Sequence, residues 1–477
     1  MNMNVHRPTS DKFNSNARDA LANDDLQSAL RTARVGFVGK RAKARALVPE
    51  FDTLRDSARD LKDHVLANLD LYLEEYERKV IASGGHVHWA ETAEDARRIV
   101  LEICRKADAK AVNKGKTMIS EECGINEHLE DNGIKAVETD LGEYIIQLRG
   151  EMPSHIIGPA LHLTVQQVRD EFIKAHTHLP ADRDLSGLDT LLAEARGVLR
   201  EKYFQAEVGI TGANMLIAET GQSVIVTNEG NGDLSQSLPK VHIVMASLEK
   251  IVPTLEDAST VLRVLARSAT GQEMSVYTTF SKGPRRAEDP DGPEEYHVVL
   301  LDNGRSAMVG SDFQDMLRCI RCGACMNHCP VYQAVGGHAY GWVYPGPMGA
   351  VLTPSLIGVE KGGHLPNAST FCGRCEAVCP MRIPLPKMMR SWREREFEKN
   401  LQPGAARVGL GAWALLAKNP AVYRLAIRAA RAGIRLFVKN GKATSLPLAG
   451  GWTDIRDFPA PEPGGSFMDQ WKKGKRA

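Results

Sequence analysis

The residues in this sequence best suited to chemistry are seven cysteines in two short runs. The runs read Cys319-x2-Cys322-x2-Cys325-x3-Cys329-Pro330 and Cys372-x2-Cys375-x3-Cys379-Pro380. Two residues between cysteines allow one tight loop to present several thiolates to a single metal centre. The first run is the bacterial ferredoxin pattern, in which the fourth cysteine ligates the other of two clusters. The sequence therefore predicts two iron–sulfur clusters.

The same rule assigns the seven thiols to the two clusters. Cluster 1 is expected to use Cys319, Cys322, Cys325 and Cys379, and cluster 2 to use Cys329, Cys372 and Cys375. Two [4Fe–4S] clusters need eight ligands, so cluster 2 is either [3Fe–4S] or has water or a non-cysteine ligand on one iron. His338 and His364 lie between the runs and are candidate ligands. An iron without a protein ligand could also be a labile corner or a binding position.

Zinc, disulfides and inert thiols are the alternatives for these cysteines. A structural zinc site needs four ligands, commonly in two pairs, and three cysteines at x2 spacing before a Cys-Pro fit that pattern poorly. Only Cys104 and Cys123 lie outside the two runs. Such a concentration of cysteines in a reducing compartment favours metal over disulfides.

Length and composition describe an ordinary globular chain. The 477 residues suggest about three domains, and 43% hydrophobic with 25% charged residues argues against a collagen, a mucin or a disordered protein. The formal net charge of +1 argues against a dedicated nucleic-acid binder. The charge is uneven, because residues 381–477 hold 19 Lys and Arg but 7 Asp and Glu. The chain thus has a basic C-terminal region.

Targeting signals and membrane spans are not expected. Residues 1–16 are polar and show no secretory signal, and the apolar run 408–417 is too short to cross a bilayer. A cytoplasmic location is predicted.

Cations at helical spacing form one face of a predicted helix, namely Arg424, Arg428, Arg431, Arg435 and Lys439. This face could contact an anionic membrane surface or an acidic partner, or simply face solvent.

The elements that position the cysteines follow from hydrophobic periodicity. Residues 1–82 are predicted helical, with an apolar stripe that begins at Phe51 and stops at Gly84-Gly85. Helices are expected from Thr92, from Ser120 and over 188–203. They alternate with predicted strands at 86–89, 111–118, 134–148 (interrupted at 140–142), 214–218, 223–227, 241–246 and 296–301. Such alternation predicts a parallel α/β sheet. The expected domains are 1–82 helical, 83–305 α/β, 306–390 iron–sulfur and mostly helical, and 391–477 basic and helical.

Other candidate sites are weaker. The loop 228–233 follows a strand, where ligands usually bind, so Glu229 is either a nucleophile or base or part of a plain turn. Gly209-x-x-Gly212 could cradle an anion. Gly409-x-Gly411-x-x-Ala414 resembles a dinucleotide fingerprint but follows a helical pattern rather than a strand. No spacing pairs the remaining histidines into a metal motif, the candidates being His86, His88, His155, His162, His176 and His178.

Several stretches of the sequence resemble the lactate-utilization (LUD) domain. They are Asp140–Leu148 with Pro153–His155, Gly209–Asn214 and Val226–Gly232. With Gly85–Trp89 and both cysteine runs, the chain resembles the L-lactate utilization iron–sulfur protein B family nearly end to end. The resemblance implies an α/β fold like that of sugar isomerases (NagB) and CoA transferases. It also implies two [4Fe–4S] clusters ligated as above, with three cysteines on the second.

The resemblance also implies a function. A chain of this family is expected to carry electrons in a cytoplasmic complex with two sister proteins that oxidises L-lactate to pyruvate, the electron acceptor being unknown. Lactate oxidation needs a hydride acceptor, and since no flavin or nicotinamide motif is recognised, that acceptor is expected on a partner. One alternative is an enzyme that acts on an organic acid or thioester through Glu229 or the open iron. Another is a binding scaffold with structural or regulatory clusters.

Overall fold

A computed structural model of the chain describes residues 8–447, 449–453 and 456–474. The chain divides into two units, residues 1–399 and 400–477. The first unit contains the main sheet and both cysteine runs.

Four helices open the first unit. They are α1 (Phe13–Ala22), α2 (Asp24–Ala46), α3 (Phe51–Ala67) and α4 (Leu69–Ala82). The predicted stripe that begins at Phe51 is therefore divided at Asn68 between two helices. Most of its apolar positions are buried, with Ala58, Tyr76 and Val80 completely covered, whereas Leu54, Leu61 and Leu69 are half-buried.

The strands form a parallel main sheet, a smaller second sheet and a C-terminal pair. The strands are β1 (His86–Ala90), β2 (Ala111–Gly115), β3 (Lys135–Glu138), β4 (Val208–Gly212), β5 (Met215–Ile217), β6 (Gln222–Thr227), β7 (Val241–Ser247), β8 (Ile251–Val252), β9 (Tyr277–Ser281), β10 (Glu295–Leu301), β11 (Lys442–Ala443) and β12 (Phe458–Pro459). The main sheet has the strand order β1-β10-β7-β4-β2-β3, and the second sheet has the order β8-β5-β6-β9. All main-sheet pairings are parallel, so the predicted α/β class is confirmed.

The helices of the α/β region follow or connect these strands. They are α5 (Ala93–Lys106), α6 (Met118–Cys123), α7 (Ile125–Asp131), α8 (Leu141–Arg149), α9 (Val165–Ala175), α10 (Leu188–Gln205), α11 (Asn231–Ser237) and α12 (Leu255–Ala269). Helix α5 begins at the predicted cap, where the side chains of Thr92 and Asp95 each accept from the other residue's backbone N–H.

Two predicted strand ends were wrong because a capping residue starts a helix there. Residues 141–149 form α8 instead of a strand, since the Asp140 carboxylate accepts from the N–H groups of Gly142 and Glu143. The strand that begins at Ala111 stops at Gly115. Helix α6 begins at Met118, two residues before its predicted start, because Thr117 caps it by accepting from the Ser120 N–H.

The Gly209-x-x-Gly212 segment is strand β4, so the prediction of a loop there was wrong. A Cβ atom at Gly209 would lie 1.8 Å from the carbonyl oxygen of Ser235. Glycine is needed there because α11 packs directly on the strand. Strand β9 was not predicted, and α11 begins at Asn231, inside the segment predicted as a loop.

The cysteine region is built from short helices. They are α13 (Ala324–Asn327), α14 (Tyr332–Val335), α15 (Gly346–Ile357), α16 (Val359–Gly362), α17 (Arg374–Val378) and α18 (Leu385–Glu398). One hydrophobic core joins this region to the N-terminal helices and the second sheet, through Phe51, Met215, Met326 and Trp392 among others. The cysteine loops are therefore supported by residues from the whole first unit.

The second unit contains α19 (Gly404–Lys418), α20 (Pro420–Arg435), α21 (Gly450–Thr453), α22 (Phe467–Lys472) and the β11–β12 pair. The fingerprint-like glycines at 409 and 411 lie inside α19 and open no strand-to-helix turn. Helix α20 carries four of the five predicted cations, while Lys439 lies beyond its end. Among the described residues, no helix combines the length and hydropathy needed to cross a membrane.

Candidate iron–sulfur centre

The two cysteine runs fold as two copies of one loop. In the first copy, Arg321 and Gly323 have φ of 58° and 72°, and in the second, Phe371 and Gly373 have φ of 52° and 76°. A one-turn helix follows each glycine. Left-handed residues between helical ones turn successive backbone N–H groups toward one point, a geometry found at many anion and iron–sulfur sites. The backbone is thus shaped to receive a thiolate-ligated cluster.

The thiols of the first group lie close enough to act on one another electrostatically. Burial, together with Cys319, Cys322 and Cys379, raises the pKa of Cys325 well above its usual value. Burial and the nearby Cys379 raise the pKa of Cys322 to about 12. Cys379 belongs to the second run, yet its thiol neighbours three thiols of the first run.

The remaining three thiols form the second group. Burial, then the nearby Cys329 and Cys372, raise the pKa of Cys375 to about 12. The two groups adjoin, because Cys375 also contributes to the raised pKa of Cys325. The structure thus brings together the sets that cross-ligation would use, and the ligation itself stays a prediction.

Backbone donors accompany the thiols. The N–H of Ile383 donates to Cys379 Sγ at 3.5 Å. At Cys372, the N–H of Arg374 lowers the pKa of the thiol below its usual value. Thiolates surrounded by N–H donors suit an iron–sulfur cluster, whose sulfurs accept such hydrogen bonds. The residues present therefore fit this cofactor.

Burial differs between the two groups. Three of the four thiols of the first group are buried, namely Cys322, Cys325 and Cys379. In the second group only Cys375 is buried, and Cys372 is exposed. The second group is therefore the one nearer to solvent.

Two arginines from the N-terminal helices support the second run. Arg55, only 2% exposed, donates to the Cys379 carbonyl from Nε at 3.1 Å and from Nη2 at 2.7 Å. Arg41 donates from Nη2 to the Val378 carbonyl at 2.8 Å. Sequence reasoning missed both residues, since they occupy ordinary positions in amphipathic helices and their partners lie more than 300 residues away.

A buried ionic network connects the α/β region to the first cysteine loop. Arg305 pairs with Glu122 at 2.6 Å and with Glu249 at 3.3 Å, and Glu249 also pairs with Arg321 at 3.3 Å. The Tyr344 hydroxyl donates to Glu122 at 2.6 Å. Although burial opposes ionisation, Arg305 and Arg321 lower the pKa of Glu249 to about 2. Arg321 lies between two cysteines of the first run, so this network fixes the position of the loop.

The two candidate histidine ligands contact other groups. His338 Nε2 lies 2.7 Å from the Met152 carbonyl, and His364 Nε2 hydrogen-bonds the Ser10 carbonyl. Among the described residues, neither imidazole hydrogen-bonds a cysteine. The structure therefore gives no support to either histidine as the missing ligand of cluster 2.

One histidine cluster escaped the sequence analysis. Glu151, His162 and His338 offer ligand atoms within 4.8 Å of one another. No spacing in the sequence groups these residues, because only the fold brings them together. Glu151 already pairs with Arg149 at 2.7 Å and with His162 at 2.8 Å. The cluster is thus stable without a metal.

Ser369 occupies the position in the second run that corresponds to Cys319 in the first. Its Oγ accepts from the Phe371 N–H at 3.2 Å. The neighbouring Thr370 hydroxyl interacts with the Cys372 thiol. Aligning the two runs on their Cys-Pro ends would have revealed this hydroxyl at the place of the missing eighth cysteine.

Glu229 lies apart from the cysteines, between β6 and α11. Its carboxylate accepts from the Leu141 N–H at 3.2 Å. Partial desolvation and the neighbouring Asp140 carboxylate raise the pKa of Glu229 above its usual value. The side chain borders an open cavity of about 670 Å³ that Arg196 and Arg200 also line.

Models of known protein families match three parts of the chain. Residues 73–301 match the model of the LUD domain, and residues 315–383 match that of the 4Fe-4S dicluster domain. Residues 374–476 match the model described as lactate utilisation protein B, C-terminal. A solved structure of a DUF162 family protein from Deinococcus radiodurans covers 49% of this chain and 98% of its own, with 13% identity and a TM-score of 0.28.

Relatives that match nearly the full chain are more similar to it in sequence than this solved structure is. Lactate utilization protein B of Bacillus licheniformis is 41% identical over 98% of this chain and 97% of its own length. The protein of that name in Oceanobacillus iheyensis is 42% identical over 92% of both chains. An Escherichia coli protein described as the uncharacterized electron transport protein YkgF is 40% identical over 97% of this chain and 96% of its own. Identity at this level and over this length shows that the chain belongs to the lactate utilization protein B family.

Proposed function

We propose that this chain is the iron–sulfur electron-transfer subunit of a cytoplasmic complex that oxidises L-lactate to pyruvate. The observation that carries the proposal is the convergence of seven thiols into two adjoining groups in a chain of this family. Two [4Fe–4S] clusters held there would supply one-electron transfer. The concentration of free thiols suits a reducing compartment.

Within this proposal, the ligand sets are those of cross-ligation. Cluster 1 is held by Cys319, Cys322, Cys325 and Cys379, and cluster 2 by Cys329, Cys372 and Cys375. The mutual electrostatic effects among the thiols support this division. The exposure of Cys372 supports cluster 2 as the one that exchanges electrons with a partner.

We further propose the functional division 1–82, 83–305, 306–390 and 391–477. The matches to the LUD and dicluster families support the bounds of the two central regions, within about ten residues. The shared hydrophobic core supports close cooperation between the first three regions rather than independent folding.

The primary oxidation of lactate is proposed to occur on a sister subunit. Removing two electrons from lactate needs a hydride acceptor, and cofactors of that kind carry this chemistry. The only fingerprint-like glycines recognised in the sequence lie inside helix α19, where they form no nucleotide-binding turn. This chain would then receive electrons rather than the hydride, and pass them to an acceptor.

The basic C-terminal unit is proposed to contact a sister subunit or, peripherally, an anionic membrane surface. Some of its cations already have partners within the unit. Arg428 pairs with Asp469 at 2.9 Å, and Arg431 and Arg435 both donate to the Glu462 carbonyl. These three cations therefore have partners within the unit, and only Arg428 is paired with a carboxylate.

The open corner proposed for cluster 2 leads to a prediction for Ser369→Cys. This variant should complete the second run to Cys-x2-Cys-x2-Cys-x3-Cys-Pro and supply an eighth thiolate. We expect iron to be lost from cluster 2 more slowly in air, by about tenfold or more, because no iron then lacks a thiolate. Iron analysis and EPR after timed exposure to oxygen measure this. Ser391→Cys, half-buried on α18, is the control. Equal loss in both variants would contradict an open corner near Ser369.

An enzyme acting on an organic acid or thioester is the second candidate function. The cavity beside Glu229 and its two arginines favours it. Glu229→Gln discriminates between the candidates. Electron transfer should be unchanged in this variant under the main proposal, whereas loss of lactate-dependent activity with intact clusters would favour the second. The main proposal itself is tested by whether L-lactate reduces the clusters only when the sister subunits are present.

A further inference from the structure

A second, smaller cavity lies at the carboxyl ends of the main-sheet strands. Its volume is about 120 Å³, which is enough for a small molecule. Lys116 follows β2, Gly212 ends β4 and Met245 lies near the end of β7, and all three line the cavity. The carboxyl end of a parallel sheet is where α/β proteins usually bind ligands.

The charges that line this cavity all have one sign. Lys116, Lys250 and Arg321 contribute to its wall, and no aspartate or glutamate does. Lys250 is only 8% exposed. Within the described parts of the chain, its ammonium group makes no hydrogen bond or ion pair. The Glu249 carboxylate and the Cys319 thiol act on it electrostatically, but a buried ammonium without a hydrogen-bond acceptor is still unfavourable.

The neighbouring carboxylate does not neutralise this group of cations. Glu249 lies 3.3 Å from Arg321, but it is also shared with Arg305 at 3.3 Å. The Lys116 ammonium, like that of Lys250, has no ion-pair partner among the residues that the structure describes. The cavity wall therefore retains excess positive charge.

The rest of the lining indicates the kind of anion. Thr227, which is 2% exposed, has a hydroxyl without a hydrogen-bond partner among the described residues. Asn214 Oδ1 accepts from the Val226 N–H at 2.9 Å, which leaves the Asn214 NH2 group as a donor. Ile156 and Met245 provide apolar surface in the same cavity. A ligand with one charged end, a polar group and a short apolar part would satisfy all of these features.

We propose that this cavity is a binding site for a small organic carboxylate. The carboxylate would lie among Lys116, Lys250 and Arg321, and the apolar end against Ile156 and Met245. Because Arg321 lies within the first cysteine run, the bound anion shares a guanidinium with the loop that carries Cys319 and Cys322. The proposal concerns binding alone, and it stands whether or not the clusters receive electrons from lactate.

The test is calorimetric titration of the full-length, cluster-loaded chain under anaerobic conditions at low ionic strength. The probes are acetate, L-lactate, pyruvate, inorganic phosphate and 1,2-propanediol, which is a neutral analogue of lactate. We expect one carboxylate per chain to bind, and 1,2-propanediol not to bind. Binding of phosphate without any carboxylate, or equal binding of the diol, would overturn the proposal.

Three variants locate the site. Lys250→Met and Lys116→Met each remove one charge while keeping most of the side-chain volume, and each should weaken carboxylate binding at least tenfold. Lys110→Met removes an exposed lysine that pairs with Asp108 on the surface and should leave binding unchanged. Circular dichroism and cluster absorbance establish that each variant is folded. Because Lys116 is half-buried, its variant keeps the test decisive if Lys250→Met does not fold. Unchanged affinity in a folded Lys116→Met variant would contradict the site.

Discussion

Replacing Arg305 with methionine should destabilise the first unit by about 3–5 kcal/mol. Arg305 is 1% exposed and pairs with Glu122 and Glu249, which are themselves buried. The substitution leaves Glu122 without its cationic partner and Glu249 with Arg321 alone, and an uncompensated buried charge is costly. Urea unfolding followed by circular dichroism measures the change in the free energy of unfolding.

Arg285→Met is the matched control for this prediction. Arg285 pairs with Glu294 at 2.9 Å, but the two side chains are 42% and 52% exposed. An exposed pair of this kind contributes about 0–1 kcal/mol.

In the Arg305→Met background, Glu122→Gln should restore part of the lost stability because it removes the unpaired charge. A loss of less than about 1 kcal/mol in Arg305→Met would show that the network does not hold the cysteine loop in place.

Replacing Cys379 with serine should remove cluster 1, although this cysteine belongs to the second run. Its thiol interacts electrostatically with those of Cys319, Cys322 and Cys325. Iron should fall from about eight to about four atoms per chain, as one [4Fe–4S] cluster is lost. Iron analysis and EPR of the dithionite-reduced protein measure this.

Comparison among serine variants makes the assignment decisive. Under cross-ligation, the residual EPR signal of Cys379→Ser should match that of Cys319→Ser, and the signal of Cys329→Ser should match that of Cys375→Ser. If each cluster instead used the cysteines of one run, the signals of Cys379→Ser and Cys375→Ser would match. That second pattern would refute the ligand sets proposed here.

Features encoded by a few adjacent residues could be predicted from the sequence. The N-cap of α5 needs only Thr92 and Asp95, and the parallel sheet follows from alternation along the chain. Prediction failed where a stretch of sequence is compatible with more than one secondary structure. The apolar run Tyr144–Ile146 is compatible with a strand or a buried helix, and the Asp140 cap decided for the helix.

The environment of the cysteines could not be predicted in the same way. Arg55 contacts the second run across 324 residues of sequence, and Arg305 reaches Glu122 across 183. Nothing in the local pattern marks either arginine, because their partners are brought near only by the packed fold. The same holds for His162 and His338, whose rings lie 4.4 Å apart although 176 residues separate them. At this site, only the cysteine spacing could be interpreted from the sequence alone, because it depends on residues that are close together in the chain.

The most direct test of the proposed function is anaerobic titration with L-lactate. The cluster-loaded chain is mixed with L-lactate, first alone and then with the proposed sister subunits, while the visible absorbance of the clusters is followed. We expect no bleaching by the chain alone and bleaching when the sister subunits are present. Bleaching by the chain alone would place the lactate-oxidising site here and contradict the relay. No bleaching in either mixture, while dithionite still reduces the clusters, would contradict lactate as the source of the electrons.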